Sequence, residues 1–174
     1  PSGLLTCLQQ SVNVTATVSG GTPSYIYDWS NGATGNPAVY TSAGTHSLTV
    51  TDNNGCTKVA TFNIGINAVQ PTANAGPVGV LTCAQPQVTL NGSGSSSGPN
   101  FSYIWTTANG NIVSGANTLM PVVNAACTYT LQVTNSTNGC TATASTTVSS
   151  NISPPDITAN GGALTCTVQS VMLT

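Results

Sequence analysis

Six cysteines carry most of the chemistry open to this chain of 174 residues: Cys7, Cys56, Cys83, Cys127, Cys140 and Cys166. No two form a Cys-x-x-Cys pair, and the sole histidine, His46, has no cysteine near it in sequence. That spacing speaks against zinc and for oxidation to disulfides. Cys7, Cys83 and Cys166 each follow Leu-Thr, whereas Cys56 and Cys140 each follow Asn-Gly. Matching contexts predict matching bonds, Cys7 to Cys56 and Cys83 to Cys140. Each would close a loop of roughly 50 to 60 residues, worth about 4 kcal/mol in the chain-entropy account. Cys166 is left without a partner, because no third Asn-Gly-Cys follows it. Cys127 stands where the first repeat has Gly44. Two readings of it stay open: a buried thiol acting as a small apolar residue, or a cross-link to Cys166 in this chain or a neighbour.

The remaining reactive groups are few. Asp28, Asp52 and Asp156 lie on different turns or connectors, so the paired carboxylates of a glycosidase are not expected. A Ser-His-Asp arrangement would have to use His46, which sits in an alternating strand pattern, and no Gly-x-Ser-x-Gly turn surrounds any serine. Calcium wants several clustered acidic oxygens, and Asp52-Asn53-Asn54 reads instead as turn chemistry. No enzyme is expected, and no cofactor or metal.

Charged residues make up only 2% of the chain, against about 25% in ordinary globular proteins. One lysine, Lys58, cannot supply the basic field that nucleic acid or an anionic membrane surface requires. No run of about 18 apolar residues exists, so no membrane span is expected. Solubility without charge points to glycans, to immobilisation in an assembly, or to both. Five Asn-x-Ser/Thr sequons occur, at Asn13, Asn91, Asn100, Asn135 and Asn151, although chance accounts for several in a chain so rich in Asn and Thr. Sugars there, or on Ser and Thr hydroxyls, would hydrate an uncharged surface. Starting at Pro1 with no signal peptide, the chain reads as a mature product or an excerpt from something longer.

The elements that position these cysteines repeat. THSLTVTDNNGCT (45–57) returns as TYTLQVTNSTNGCT (128–141), an alternating strand followed by an Asn-Gly turn. The openings Leu4-Leu5-Thr6-Cys7, Val80-Leu81-Thr82-Cys83 and Ala163-Leu164-Thr165-Cys166 recur about every 80 residues, close to the length of an immunoglobulin-like sandwich. Strands are expected over 12–18, 25–29, 39–41, 45–51, 57–64, 88–90 and 101–105, with a flexible Gly/Ser run at 92–98. Trp29 and Trp105 occupy the same place in each repeat and read as core plugs between two sheets. The rival reading makes them, with Tyr25 and Tyr103, a sugar-stacking surface.

The organisation that follows is all-β: tandem immunoglobulin-like β-sandwich modules joined by Pro-rich linkers, forming an extended rod. The modules are 1–67 and 78–150, the linkers 68–77 and 151–162, and 163–174 supplies the first strands of a third, incomplete module. Proline stiffens such connectors into semi-rigid spacers.

With GGTPSYIYDWSNG and AGTHSLTVTDNNGC, the first module resembles the SprB-type repeats of gliding and surface adhesins in Bacteroidota. The second, with LTC, YIW, TYTLQVT and NGC, is similar to the PKD/Ig-like modules strung along very large secreted proteins of that phylum. The resemblance implies export through the type IX pathway, a place on or beyond the outer membrane, and no catalytic residues. Two functions are therefore expected to compete. One is a structural and adhesive segment of a cell-surface filament or giant adhesin. The other is a carbohydrate-binding module using surface aromatics to hold glycans. For the first, partners are copies of the chain or neighbouring modules. Residues 165–173 would then either belong to a longer polypeptide or add as a strand to the next subunit, head to tail, since an apolar edge such as Val171-Met172-Leu173 needs covering.

Overall fold

The computed structural model describes residues 2–157, and every regular element in that range is a strand. Cys166, the incomplete module 163–174 and the strand exchange expected of 165–173 lie outside the described residues. The strands are β1 (Ser2–Thr6), β2 (Val12–Val14), β3 (Ile26–Trp29), β4 (Ala38–Tyr40), β5 (Gly44–Thr51), β6 (Thr57–Asn67), β7 (Gly79–Thr82), β8 (Val88–Thr89), β9 (Phe101–Thr106), β10 (Ile112–Ser114), β11 (Val122–Val123), β12 (Cys127–Asn135) and β13 (Thr141–Asn151).

They sort into two sandwiches of the same plan. In the first, the sheet β1-β6-β5-β3 faces the pair β2-β4; in the second, β7-β13-β12-β9 faces β10-β11-β8. β1 and β7 each run parallel to the last strand of their own sandwich, while the other pairs are antiparallel. Even the registers coincide. Leu48 lies between Trp29 and Ala60, as Leu131 lies between Trp105 and Ala144. This is the all-β, tandem Ig-like architecture expected from the alternation.

Alternation is also what fills the cores. In β2, Val12 and Val14 are buried while Asn13 between them is exposed; in β12, Tyr129, Leu131 and Val133 are fully buried and the intervening residues are not. One face of each pleated strand therefore meets the opposite sheet. The first core gathers Trp29, Tyr40, Leu48 and Ile64, with Phe62 partly buried against them. Its rings meet edge to face, Trp29 with Phe62 at 5.9 Å and Tyr40 with Phe62 at 5.3 Å between centroids, the arrangement aromatic quadrupoles favour. The second core gathers Leu81, Leu90, Trp105, Val123, Tyr129, Leu131 and Val133.

Three stretches differ from their sequence reading. The strand expected over 12–18 ends at Val14, because its only partner, β4, pairs with Val12–Val14 alone. The 68–77 stretch is more than a spacer, because Pro71 is buried and Ala75 belongs to the second core. The Gly/Ser run at 92–98 is tied to it: Thr72 N–H donates to Ser96 Oγ, and Ser96 N–H returns a bond to Thr72 O, both at 2.9 Å. Asn74 N–H likewise donates to Ser95 Oγ at 2.9 Å. The serines expected to loosen this run instead supply the hydroxyls that fasten it.

Candidate functional site

The place where chemistry and geometry converge is the joint between the sandwiches. Cys7 is bonded to Cys140, across 133 residues of chain, with Cα atoms 5.0 Å apart. This corrects the pairing expected from sequence. Cys7 does not join Cys56, and Cys83 does not join Cys140; Cys56 and Cys83 are both exposed free thiols. The physical reason is positional. In each sandwich the Leu-Thr-Cys turn follows the strand paired parallel to the last strand, and the Asn-Gly-Cys turn precedes that last strand. Parallel pairing sets the end of β1 beside the end of β6, whereas Cys56 stands before the start of β6. The two cysteines of one sandwich therefore lie at opposite ends of its last strand, and only the neighbouring sandwich can bring a partner.

Each half of the joint is shaped locally. After β1, Thr6 N–H donates to Gln9 O and Gln9 N–H donates to Thr6 Oγ1, both at 2.9 Å, a tight turn that presents Cys7 and Leu8. Between β12 and β13, Gly139 N–H donates to Asn135 O at 2.7 Å and Asn135 N–H to Cys140 O at 2.9 Å. Gly139 holds φ +69, where only glycine is comfortable, and a Cβ there would run into the Leu8 side chain. Asn138 is the buried polar anchor, 2% exposed. Its Oδ1 accepts from Cys140 N–H at 3.0 Å, while its Nδ2 donates to Asn67 Oδ1 at 3.1 Å and to Val69 O at 3.0 Å. A buried amide so fully partnered fixes orientation as well as distance. Sequence reading singled out Asn-Gly-Cys for its turn and missed Asn138 as an inter-module contact; Asn67, ending the preceding strand, carried no signal.

The equivalent turn of the first sandwich is held differently. Asp52 Oδ2 accepts from Thr22 N–H at 3.0 Å, and Asp52 Oδ1 accepts from Cys56 N–H at 2.8 Å and Asn54 N–H at 3.0 Å. These donors, Thr22 foremost and then Cys56, hold the Asp52 carboxyl below its usual range. The acid is occupied as a turn clamp. His46 lies against the Tyr40 ring at 4.4 Å between centroids, with Nε2 3.1 Å from Ser42 O. Cys127 is half-buried and free; the Thr107 hydroxyl first, and the Asn109 N–H next, hold its thiol below the ordinary cysteine range. Its expected link to Cys166 falls outside the described residues.

Trp29 and Trp105 are each 2% exposed, with Nε1–H donated to Gly35 O at 2.7 Å and Thr118 O at 3.0 Å. Neither offers a face to a sugar. The hydroxyls of Tyr25 and Tyr103 are spent on Gly20 O and Ser96 O. Of the sequon asparagines, Asn13, Asn91, Asn100 and Asn151 are exposed and Asn135 is half-buried in the turn before Cys140. No group of His, Cys, Asp and Glu among the described residues could hold a metal ion.

No protein-family model matches the chain. Among solved structures, the chain is similar to the PKD domain of the KIAA 1837 protein, at 24% identity over 53% of this chain and 99% of that one, with a TM-score of 0.38. It is similar to an I-band fragment of titin at 12% identity over 87% of this chain and 62% of that one, TM-score 0.39. The insect immune protein hemolin is matched at 12% identity over 87% of this chain and 44% of that one, TM-score 0.36. At scores this low, the assignment to Ig-like sandwiches rests on the strand order and registers described above.

Proposed function

We propose that this chain is a non-catalytic, load-transmitting segment of an extracellular repeat protein, a stretch of a cell-surface filament or giant adhesin of the SprB-like kind. The observation that carries the reading is the joint: a disulfide and a buried amide couple one repeat to the next. Sandwiches tied only by a peptide connector swivel, because ordering a linker costs conformational entropy. Here a loop of 133 residues is closed, which in the chain-entropy account constrains the unfolded chain by about 5 kcal/mol. Such a cross-link suits a protein whose work is reach and cohesion in an oxidising compartment. The near absence of charge suits a chain shielded by glycans at the exposed sequons or packed against others like itself, with the modules set end to end as a rod.

Small-angle X-ray scattering tests this reading. The oxidised chain should give one fixed inter-sandwich distance, and Cys7→Ser should broaden it without unfolding either sandwich. An unchanged distance distribution in that variant would leave the joint without a mechanical role. The glycan-binding alternative has lost its tryptophans to the core, and no observation favours it.

A further inference from the structure

We propose that Asn109 is a self-modifying site, where the Gly110 nitrogen closes on the Asn109 side chain and water reopens the ring to aspartate or isoaspartate. The inference goes beyond the structural reading above and holds whether or not the chain bears load.

Asn-Gly is the dipeptide in which this chemistry is easiest, because glycine has no Cβ to hinder the approach of its nitrogen to the preceding side-chain carbon. Six such pairs occur, beginning at Asn31, Asn54, Asn91, Asn109, Asn138 and Asn160. The last lies outside the described residues. Ring closure asks two things of a folded chain. The glycine N–H must be free to give up its proton, and the asparagine Cγ must be free to swing towards that nitrogen.

Four pairs meet neither condition. Gly32, Gly55, Gly92 and Gly139 donate their N–H to backbone carbonyls, at 2.8 Å to Trp29 O, 3.0 Å to Asp52 O, 2.7 Å to Leu119 O and 2.7 Å to Asn135 O. Their asparagine amides are engaged as well. Asn31 Nδ2 donates to Val39 O and Asn54 Nδ2 to Thr22 Oγ1, both at 2.8 Å. Asn91 Oδ1 accepts from Ser93 N–H at 3.0 Å and from the Ser93 hydroxyl at 2.6 Å. Asn138 is held by its three partners at the joint.

Asn109 differs on both counts. It is exposed, and among the described residues its side chain has no hydrogen-bond partner. Gly110 N–H donates to a side chain rather than a carbonyl, reaching Thr107 Oγ1 at 3.1 Å, while that hydroxyl donates to Thr128 O at 2.9 Å. A single hydroxyl on the irregular connection between β9 and β10 opens more readily than backbone bonds within closed turns. The glycine itself is required by packing, since a Cβ at 110 would lie 2.6 Å from Thr107 Oγ1 and 2.7 Å from the Tyr129 hydroxyl. The labile pair therefore joins a glycine the fold needs to an asparagine side chain it leaves loose.

In the first step Gly110 N bonds to Asn109 Cγ, the Cγ–Nδ2 bond breaks, and ammonia leaves with the former N–H proton. Solvent water then adds to one of the two carbonyl carbons of the succinimide. Attack at Cγ restores the main chain with aspartate at 109; attack at the backbone carbonyl carbon leaves isoaspartate, with one more methylene in the main chain. Either product adds a negative charge to a chain whose formal net charge is −2. The longer form also strains the corner that follows, where Asn111 N–H donates to the Tyr129 hydroxyl at 3.2 Å and Asn111 Nδ2 to Asn124 Oδ1 at 2.7 Å.

The test uses the full chain with the Cys7–Cys140 bond intact, aged in mildly alkaline buffer, then digested and mapped by mass spectrometry for amide-to-acid conversion. Conversion at Asn109 should run about tenfold or more faster than at Asn31, Asn54, Asn91 or Asn138. In urea with the disulfide reduced, the five rates should converge. Thr107→Val, which frees the Gly110 N–H, should raise the Asn109 rate about threefold in the folded chain and leave the other four unchanged. Equal native rates, a highest rate at one of the four held pairs, a gap that persists in urea, or a Thr107→Val chain that converts no faster would each overturn the proposal. None of these outcomes touches the scattering test of the joint, so the two readings fail separately.

Discussion

The two sandwiches share strand order and register but differ in closure. Val133 is fully buried, while its counterpart Val50 is only half-buried. Thr146 is buried and bonded to Pro77; Phe62, in the same place, lies half-buried along an open groove. The strands themselves do not account for this, since they are equivalent. What differs is one extended segment, Thr72 to Pro77, lying over the second core. In the second sandwich, the segment that lies over the core comes directly from the end of β6 and stands just before β7.

The largest expected effect comes from removing what joins the two. Cys140→Ser should cost about 2–5 kcal/mol in urea unfolding and split a single transition into two, the open sandwich melting first. Truncating the paired valines tests the difference in closure directly. Val133→Ala should cost about 2 kcal/mol, and Val50→Ala about 1 or less, because less apolar area is lost where the groove already admits water. Equal losses would mean that the groove does not weaken the first core. The turn asparagines sharpen the contrast at a smaller scale. Asn138→Ala strands the Cys140 N–H and Val69 O and should cost about 1–3 kcal/mol; Asn54→Ala, at an exposed turn, should cost about 0.5 or less.

The smallest effect is a pH dependence confined to the first sandwich. Because Asp52 has a folded pKa below its unfolded value, its contribution is present above the unfolded pKa of about 4 and is lost as pH falls through the folded value. Relative to the intrinsic exchange rate at each pH, protection of the Thr22 and Cys56 amides should fall on acidification, while that of the 135–140 turn, held by amides, stays unchanged. Asp52→Asn should remove the difference.

Most of the fold was legible because alternation is a local signal. Val12 and Val14, or Leu131 and Val133, announce a buried face by spacing alone, and the repeated tryptophans mark the two core centres. The site was harder, for reasons that are not local. Repetition shows that Cys7 matches Cys83 and Cys56 matches Cys140, but bonding within a repeat and bonding between repeats preserve that match equally well. Only the parallel pairing of β1 with β6, which sets Cys7 and Cys56 at opposite ends, decides between them. The segment from Ala68 to Pro77 shows no periodicity because it is held by serine hydroxyls and buries little beyond Pro71 and Ala75. A segment so attached looks like a linker in sequence.

The most direct measurement is a disulfide map of the intact chain: proteolysis without reduction after alkylation of free thiols, then mass spectrometry. The account predicts a peptide containing Cys7 linked to one containing Cys140, with no link within either repeat. Recovery of Cys7 linked to Cys56 and Cys83 linked to Cys140 would contradict it.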